Sequence, residues 1–349
     1  MKNLDRARPG PTSRTRAAAR RQALARCAGA VCGLLVTSAA ATLAATPAAA
    51  QGSYPNRPIN IVIGFAPGGI TDIFARDLGQ EASRVFNQPV VIDNKPGASG
   101  VIAAEIVARA APDGYTLLMT ANNHSITPAL RASMRYDAIS GFAPITMFAL
   151  TPNILVVPSS SPHKDLADYV AAARKRPGAI TFASSGIGTG PHLSGEYFGS
   201  VTGAGFVHVP YKGSNQSLMA AMSGEVDSTW SAAALQQIKA GKVRALGVAS
   251  AERFSLAPDI PTFAEQGFKD FRSEVWVGLL GPANLPAEVT EKWNTVLQQL
   301  LSRKDVQDRI KAQGYEPVRN EGPAEFRQRL VREVANYKKI VSDARIQVE

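Results

Sequence analysis

Cysteine is nearly missing from this 349-residue chain, and the only two, Cys27 and Cys32, both fall in the first fifty residues. Residues 51–349 therefore carry no disulfide and no thiolate chemistry, and must be held together by core burial alone. Histidine is also scarce. The four, His124, His163, His192 and His208, share no close ligand spacing and no His-Glu-x-x-His pattern, so no metal site is expected. No Gly-x-Ser-x-Gly elbow occurs. Ser161-Pro162-His163-Lys164 matches Ser-x-x-Lys, but its companion Ser-Asp-Asn and Lys-Thr-Gly elements are missing, so the motif reads as a solvated helix start. No enzyme is expected from this inventory. A membrane-spanning run is lacking too: the most apolar stretch, about 28–45, is diluted by Thr37, Ser38 and Thr42 and is followed by Thr46 and Pro47, whereas a spanning helix needs about 20 strongly apolar residues.

That stretch fits an export signal. Lys2, Arg6, Arg8, Arg14, Arg16, Arg20, Arg21 and Arg26 precede it against the single acid Asp5, and Ala48-Ala49-Ala50 ends it with an Ala-x-Ala type site. Residues 1–50 are read as a signal peptide cleaved after Ala50, placing the protein in the periplasm. The pair Arg20-Arg21 leaves the export route open. The segment carries eight of the 38 Lys and Arg and one of the 28 Asp and Glu, so residues 51–349 hold 30 basic against 27 acidic side chains, a net charge near +3 instead of +10. The basic balance is thus a leader effect, and nothing calls for nucleic acid or an anionic membrane as partner.

Beyond the leader, short β-branched runs alternate with helix-length segments, the signature of an α/β fold with parallel sheets covered by helices. Strands are predicted at 59–65, 89–93, 115–120, 154–157, 180–184, 206–210, 226–230 and 243–249. Helices are predicted at about 71–85, 101–110, 166–174, 192–201, 216–222 and 232–240, with three more in the charged C-terminal part at about 288–301, 305–312 and 323–342. Residues 145–157 read as two extended stretches broken at Thr151-Pro152, and 274–280 as a returning one. The chain then leaves a first lobe, builds a second and comes back: lobe one at 51–152 plus 275–349, lobe two at 153–274, with the hinge at the two crossings.

Two glycine-rich loops follow strands and open helices. The first contains Phe65, Ala66, Gly68, Gly69, Thr71 and Asp72; the second contains Ser184, Ser185, Thr189 and His192. Glycines let backbone N–H groups approach a ligand, and a helix N-terminus favours an anion. An ordinary capped turn, with Thr71 or Asp72 as cap, explains the first loop equally well. Asp72 would oppose a bare anion, so it is expected to cap the backbone or meet a donor on the ligand. The second loop begins like a dinucleotide fingerprint, but the next strand ends at Val209-Pro210-Tyr211 without the required acid, so no cofactor is expected. Loops at 94–100, 122–125 and 211–215 belong to the same C-terminal strand ends, where open α/β sheets bind ligands.

Several long blocks in one order, YPNRPINIVIGFAPGGITDIFAR, VVIDNKPGASG, PDGYTLL, PGAITFASSGIGTGPHLSGEYF, HVPYKGSNQSL, AGKVRALGVAS, PDIPTFAEQGF and WVGLLGPA, span nearly all of 51–349. They resemble the substrate-binding proteins of tripartite tricarboxylate transporters, the Bug or TctC-like family. That resemblance implies a type II periplasmic-binding-protein fold: two lobes, each with a mainly parallel sheet flanked by helices, and two crossover strands as hinge. It implies capture of a small carboxylate between the loops matching 65–72 and 184–192, largely by backbone groups, and delivery to integral membrane permease subunits by what is expected to be a monomer. A sensing module for a signalling receptor, and an exported enzyme acting on a carboxylate, are the alternative roles. Ile70 and Gly190-Pro191 depart from the family pattern, so ligand identity is not carried over. Asn122, Tyr211 and Trp230 are the candidates for the ligand's far end, an aromatic lining suiting an apolar acid and an Asn and Ser lining a hydroxy- or amino acid.

Overall fold

The structure, a computed structural model, describes residues 54–346 except 270 and 320. The expected signal over 1–50, with its cleavage after Ala50, lies outside the described residues.

The first apolar run forms β1 (Ile59–Ile63), whose side chains are almost wholly buried, as expected for a strand covered on both faces. Helix α1 (Ile70–Phe86) follows; Phe74, Leu78 and Ala82 recur every fourth position and give it one buried stripe. Then come β2 (Val90–Asn94), α2 (Val101–Ala108), β3 (Thr116–Ala121), α3 (Asn123–Leu130) and the long β4 (Phe142–Pro152). After Asn153 the chain starts a second sheet with β5 (Ile154–Pro158), α4 (Leu166–Lys175), β6 (Ile180–Ser184), α5 (Gly190–Thr202), β7 (Phe206–Pro210), α6 (Ser214–Ser223), β8 (Ser228–Trp230), α7 (Leu235–Lys239) and β9 (Val243–Val248). It returns through β10 (Glu274–Pro282) and ends with α8 (Ala287–Ser302), α9 (Lys304–Ala312), β11 (Glu316–Pro317) and α10 (Pro323–Asp343).

The strand order is β11-β4-β10-β3-β1-β2 in the first sheet and β7-β6-β8-β5-β9 in the second. The two-lobed α/β class holds, and most strands of each sheet run one way: β1, β2, β3 and β4 in the first, β6, β7, β8 and β9 in the second, with β10, β11 and β5 reversed. Only β2-β1-β3 and β7-β6-β8 pair in parallel; β10 pairs antiparallel with β3 and β4, β11 with β4, and β5 with β8 and β9. The reason is topological. Strands joined through a helix on the sheet face run parallel, whereas β5 and β10 are entered from the other lobe and arrive in the opposite sense.

The crossing is tied by three backbone bonds. Asn153 N–H donates to Ser273, Ser273 N–H to Ala249, and Ala249 N–H to Asn153, each at 2.9 Å. The Asn153 amide also donates to Ser273 Oγ at 3.0 Å and Ser194 Oγ at 3.2 Å. Lobe two is centred on an aromatic cluster in which Trp230 packs against Phe198, Phe263 and Phe271.

Helix α3 was not expected, because Asn122-Asn123-His124-Ser125 reads as a loop at a strand end. It forms because Ile126 and Ala129 bury themselves against Leu193, Ile340 and Val341, joining α3 to α5 and α10, which outweighs the intrahelical bond that Pro128 forgoes. The helix expected at 232–240 is a 3₁₀ turn at Ala232–Ala234 followed by the short α7.

Candidate functional site

The turn between β1 and α1 is shaped by Asp72. Its Oδ2 accepts from the Gly68 N–H at 2.9 Å and from Arg76 Nε at 2.9 Å, while Oδ1 accepts from Arg76 Nη2 at 2.9 Å and Asn94 Nδ2 at 3.0 Å. Gly68 holds φ +81°, a conformation that favours glycine. Chiefly through the Arg76 hydrogen bond, and against the opposing effect of burial, the Asp72 carboxyl is held down at about 2. The acid is therefore ionised, caps the turn and has its charge answered by a guanidinium. Gly69, the N-cap of α1, has no side chain to cap with, so the first-turn amides of α1 have no side-chain acceptor from that position.

The second loop repeats the arrangement in the other lobe. Thr189, the N-cap of α5, sits at φ −80° and ψ 161°, close to Gly69 at −75° and 166°. Its hydroxyl donates backwards to Gly186 O at 2.7 Å and does not cap the helix. Gly188 N–H donates to His192 Nδ1 at 3.0 Å, which fixes the loop on its own helix.

Both helix starts open on one cavity of about 470 Å³. Phe65, Gly69, Ile70, Thr71, Ser99, Asn122, Ile126, Thr127, Leu130, Arg131 and Val275 line it from the first lobe, and Ile187, Gly188, Thr189 and Gly190 from the second. The lobes nearly touch there: a Cβ on Gly190 would lie 3.3 Å from Asn122 Nδ2. Thr71, Ser99, Asn122, Thr127, Arg131 and Thr189 bring polar groups to the cavity, and Ile70, Ile126, Leu130, Ile187 and Val275 bring aliphatic ones. Ile187 is 68% exposed, an unusual state for a side chain of that size.

Of the residues anticipated from sequence, the structure brings together Phe65, Gly69, Thr71, Asn122 and Thr189 as cavity lining. Ala66, Gly68, Asp72, Ser184, Ser185, His192 and Tyr211 do not line it. Gly68 N–H donates to Asp72, and Ala66 O accepts from the Gly69 N–H at 3.4 Å in the same turn. Ser184 is fully buried; its Oγ contacts His208 Nε2 at 2.6 Å, donates to Gly186 O at 3.0 Å and accepts from Gly186 N–H at 3.1 Å. His192 is 4% exposed and stacks on His208 with centroids 3.8 Å apart, and burial foremost pushes the His208 imidazole down to about 3. These groups brace the loop from beneath and offer no exposed nucleophile. Tyr211 is held by its 2.8 Å bond to Glu225, and Trp230 is 2% exposed in the lobe-two core, so neither lines this cavity.

What sequence reasoning missed is the wall supplied by α3, together with Val275; Ser99 and Ile187 lie in the loops 94–100 and 184–192 already placed at strand ends. The spacing Ile126, Leu130 was a usable signal for the helix. Among the described residues, no group of three or more His, Cys, Asp or Glu is placed to hold a metal ion, and no helix is long and apolar enough to cross a membrane.

Residues 74–345 match the family model described as the tripartite tricarboxylate transporter family receptor, TctC. The chain belongs to this family. Solved structures agree with the two-lobed architecture. The periplasmic binding protein BugD is 31% identical, with a TM-score of 0.66 over 85% of this chain and all of that one. Rpa4515 of R. palustris, solved with adipate, is 32% identical, with a TM-score of 0.69 over 85% of this chain and all of its own. MatC from Rhodopseudomonas palustris, with bound malate, is 30% identical, with a TM-score of 0.66 over 82% of this chain and all of its own. TctC members are periplasmic solute-binding proteins and not enzymes, and the fold here is theirs.

Proposed function

We propose that this chain is an exported receptor that captures a small carboxylate in the cleft between its lobes, by backbone amides and hydroxyls, and delivers it to a tripartite tricarboxylate-type permease. The reading includes removal of residues 1–50, lobes at 51–152 plus 275–349 and at 153–274, and a hinge at the Asn153, Ala249 and Ser273 crossing. The observation that carries it is that two helix starts without side-chain caps, α1 and α5, rise from separate sheets and line the same cavity.

Each helix start favours an anion by about 0.3–2 kcal/mol, and each charge-assisted hydrogen bond contributes roughly 1.5–3 kcal/mol. Micromolar affinity needs about 8 kcal/mol net of the cost of association. A bare carboxylate falls short, so the body of the ligand has to contribute. The wall it meets is aliphatic (Ile70, Ile126, Leu130, Ile187 and Val275), which suits an acid with an apolar chain or ring. The adipate and malate bound by the two relatives support a carboxylate as the ligand.

A thermal-shift panel of hexanoate, octanoate, benzoate, adipate, malate and citrate tests this. A true ligand at about 100 times its dissociation constant adds about 2.7 kcal/mol. Adipate, hexanoate or benzoate should raise the midpoint by several degrees and malate by less. A panel without any shift would overturn the reading, and a preference for malate or citrate would overturn the apolar-ligand part of it.

A further inference from the structure

A second cavity, about 270 Å³, lies on the crossing side and is lined by Ser194 and Ser273 together with Glu274, Arg329, Glu333 and Tyr337. Its lining mixes these charged and hydroxyl groups with Leu193, Tyr197 and Ile340, and its residues reach the back of the anion cavity. Glu333, on α10, accepts from Ser125 Oγ at 2.5 Å and from Trp276 Nε1 at 2.8 Å, both on Oε2. Ser125 lies inside α3, beside Ile126; Trp276 lies in β10, beside Val275. Ile126 and Val275 both line the anion cavity. One turn further along α10, Tyr337 shares a hydrogen bond with Asn122, another lining residue.

We propose that Glu333 is a positioning residue for the anion site, setting from behind how α3 and β10 present the cavity wall, and that an anion entering the cavity draws a proton onto it. The proposal rests on the cavity being an anion site.

The surroundings of Glu333 make it responsive. Arg329 is its nearest cation, but that guanidinium is held more closely by Glu274 at 2.7 Å and Glu321 at 3.0 Å than by Glu333 at 3.9 Å. Ser125 from α3, Trp276 and Glu274 from β10, and Arg329 and Tyr337 from α10 face it; Arg272 and Arg332 line the same cavity. Burial dominates over the Ser125, Trp276 and Arg329 contributions, and its carboxyl is pushed up to about 7. Its side chain keeps 17% exposure, so protons reach it through this cavity. An anion on the far side of α3 is a like charge, and a like charge favours the protonated carboxyl. Linkage then requires affinity to fall as pH rises through this range.

The test uses adipate and hexanoate with the full chain, by calorimetric titration between about pH 6 and pH 8 in buffers of differing ionisation heat. Wild type is expected to take up protons on binding near pH 7 and to lose about threefold to thirtyfold in affinity across the range, equivalent to about 0.5–1.5 pKa units of coupling. Glu333→Gln keeps an oxygen acceptor for Ser125 and Trp276 and should bind with pH-independent affinity. Glu333→Ala should bind more weakly than Glu333→Gln at every pH. Binding that is flat with pH in wild type, a Glu333→Gln slope equal to wild type, or equal affinities for the Ala and Gln variants would each overturn the assignment while leaving the anion site standing. Failure of both acids to bind at any pH would sink the anion-site reading and this proposal with it.

Discussion

Replacing Gly69 by valine separates the binding role of the first loop from its folding role. The Gly69 backbone, at φ −75° and ψ 166°, is open to any L residue, and an added Cβ would meet only Ala66 O at 3.4 Å. Valine is a poor N-cap, a cost of up to about 1 kcal/mol, but a substitution that restricts the unfolded chain returns about 0.4–1 kcal/mol. Net stability should stay within about 1 kcal/mol of wild type, a melting shift of no more than about 4 °C. Binding should suffer far more, because the branched side chain enters the cavity where the amides of the α1 start are presented. Losing two charge-assisted bonds removes about 3–6 kcal/mol, roughly a hundred- to ten-thousandfold in affinity. Circular dichroism melts establish that the variant is folded, and calorimetry with the best acid of the panel measures the loss. Wild-type affinity in a folded Gly69→Val protein would show that the anion does not meet the α1 start.

Three further perturbations probe other parts of the argument. Glu333 has its folded carboxyl raised to about 7 from an ordinary 4.5 by burial, so its contribution to stability is present below about pH 4.5 and is lost as pH rises through 7. Glu333→Gln should therefore gain on wild type by up to about 3 kcal/mol between pH 5 and pH 8, read from urea unfolding at each pH; parallel curves would contradict the assigned shift. Trp230→Ala, emptying the centre of the lobe-two aromatic cluster, should cost about 3–5 kcal/mol, and a loss under about 1 kcal/mol by the same assay would place Trp230 outside the core. Ile187→Asp, at a site already 68% exposed, should leave the melting temperature within about 2 °C yet weaken acid binding at least tenfold by calorimetry; unchanged affinity would remove Ile187 from the ligand wall.

The fold was legible where one local signal dominated. The runs 180–184 and 206–210 coincide with strands β6 and β7, because β-branched and aromatic residues bounded by loop residues leave little alternative. The two crossings could be read from Pro152 and from the apolar run after Glu274. The site was only half legible, and for a definite reason: sequence shows which loops lie at strand ends but not where each side chain turns. Asp72 turns back on Gly68 and Arg76, Ser184 and His192 turn beneath their own loop, and Tyr211 turns to Glu225. Each is satisfied locally, over separations that pattern reading cannot resolve. Helix α3 starts in a stretch that reads as a loop at a strand end, and its stabilisation comes from Leu193 and Ile340, residues far away in the chain.

These inward-turning side chains leave the amides of the two helix starts without side-chain caps. A polar side chain at the N-cap of α1 or α5 would satisfy the amides that an anion needs; glycine at 69 cannot do so, and Thr189 spends its hydroxyl on Gly186 O. The carboxylate close to the α1 start, Asp72, is neutralised by Arg76. Each helix start therefore retains its partial positive charge and its unmet donors. In the proposed site, satisfying both sets at once would require one solute to touch both lobes, which would couple the energy of completing the caps to closure of the cleft. An acid long enough to reach Leu130 and Ile187 while its carboxylate sits at the helix starts would engage both lobes with its apolar body as well, which is why chain length, and not charge alone, should order the affinities of the panel.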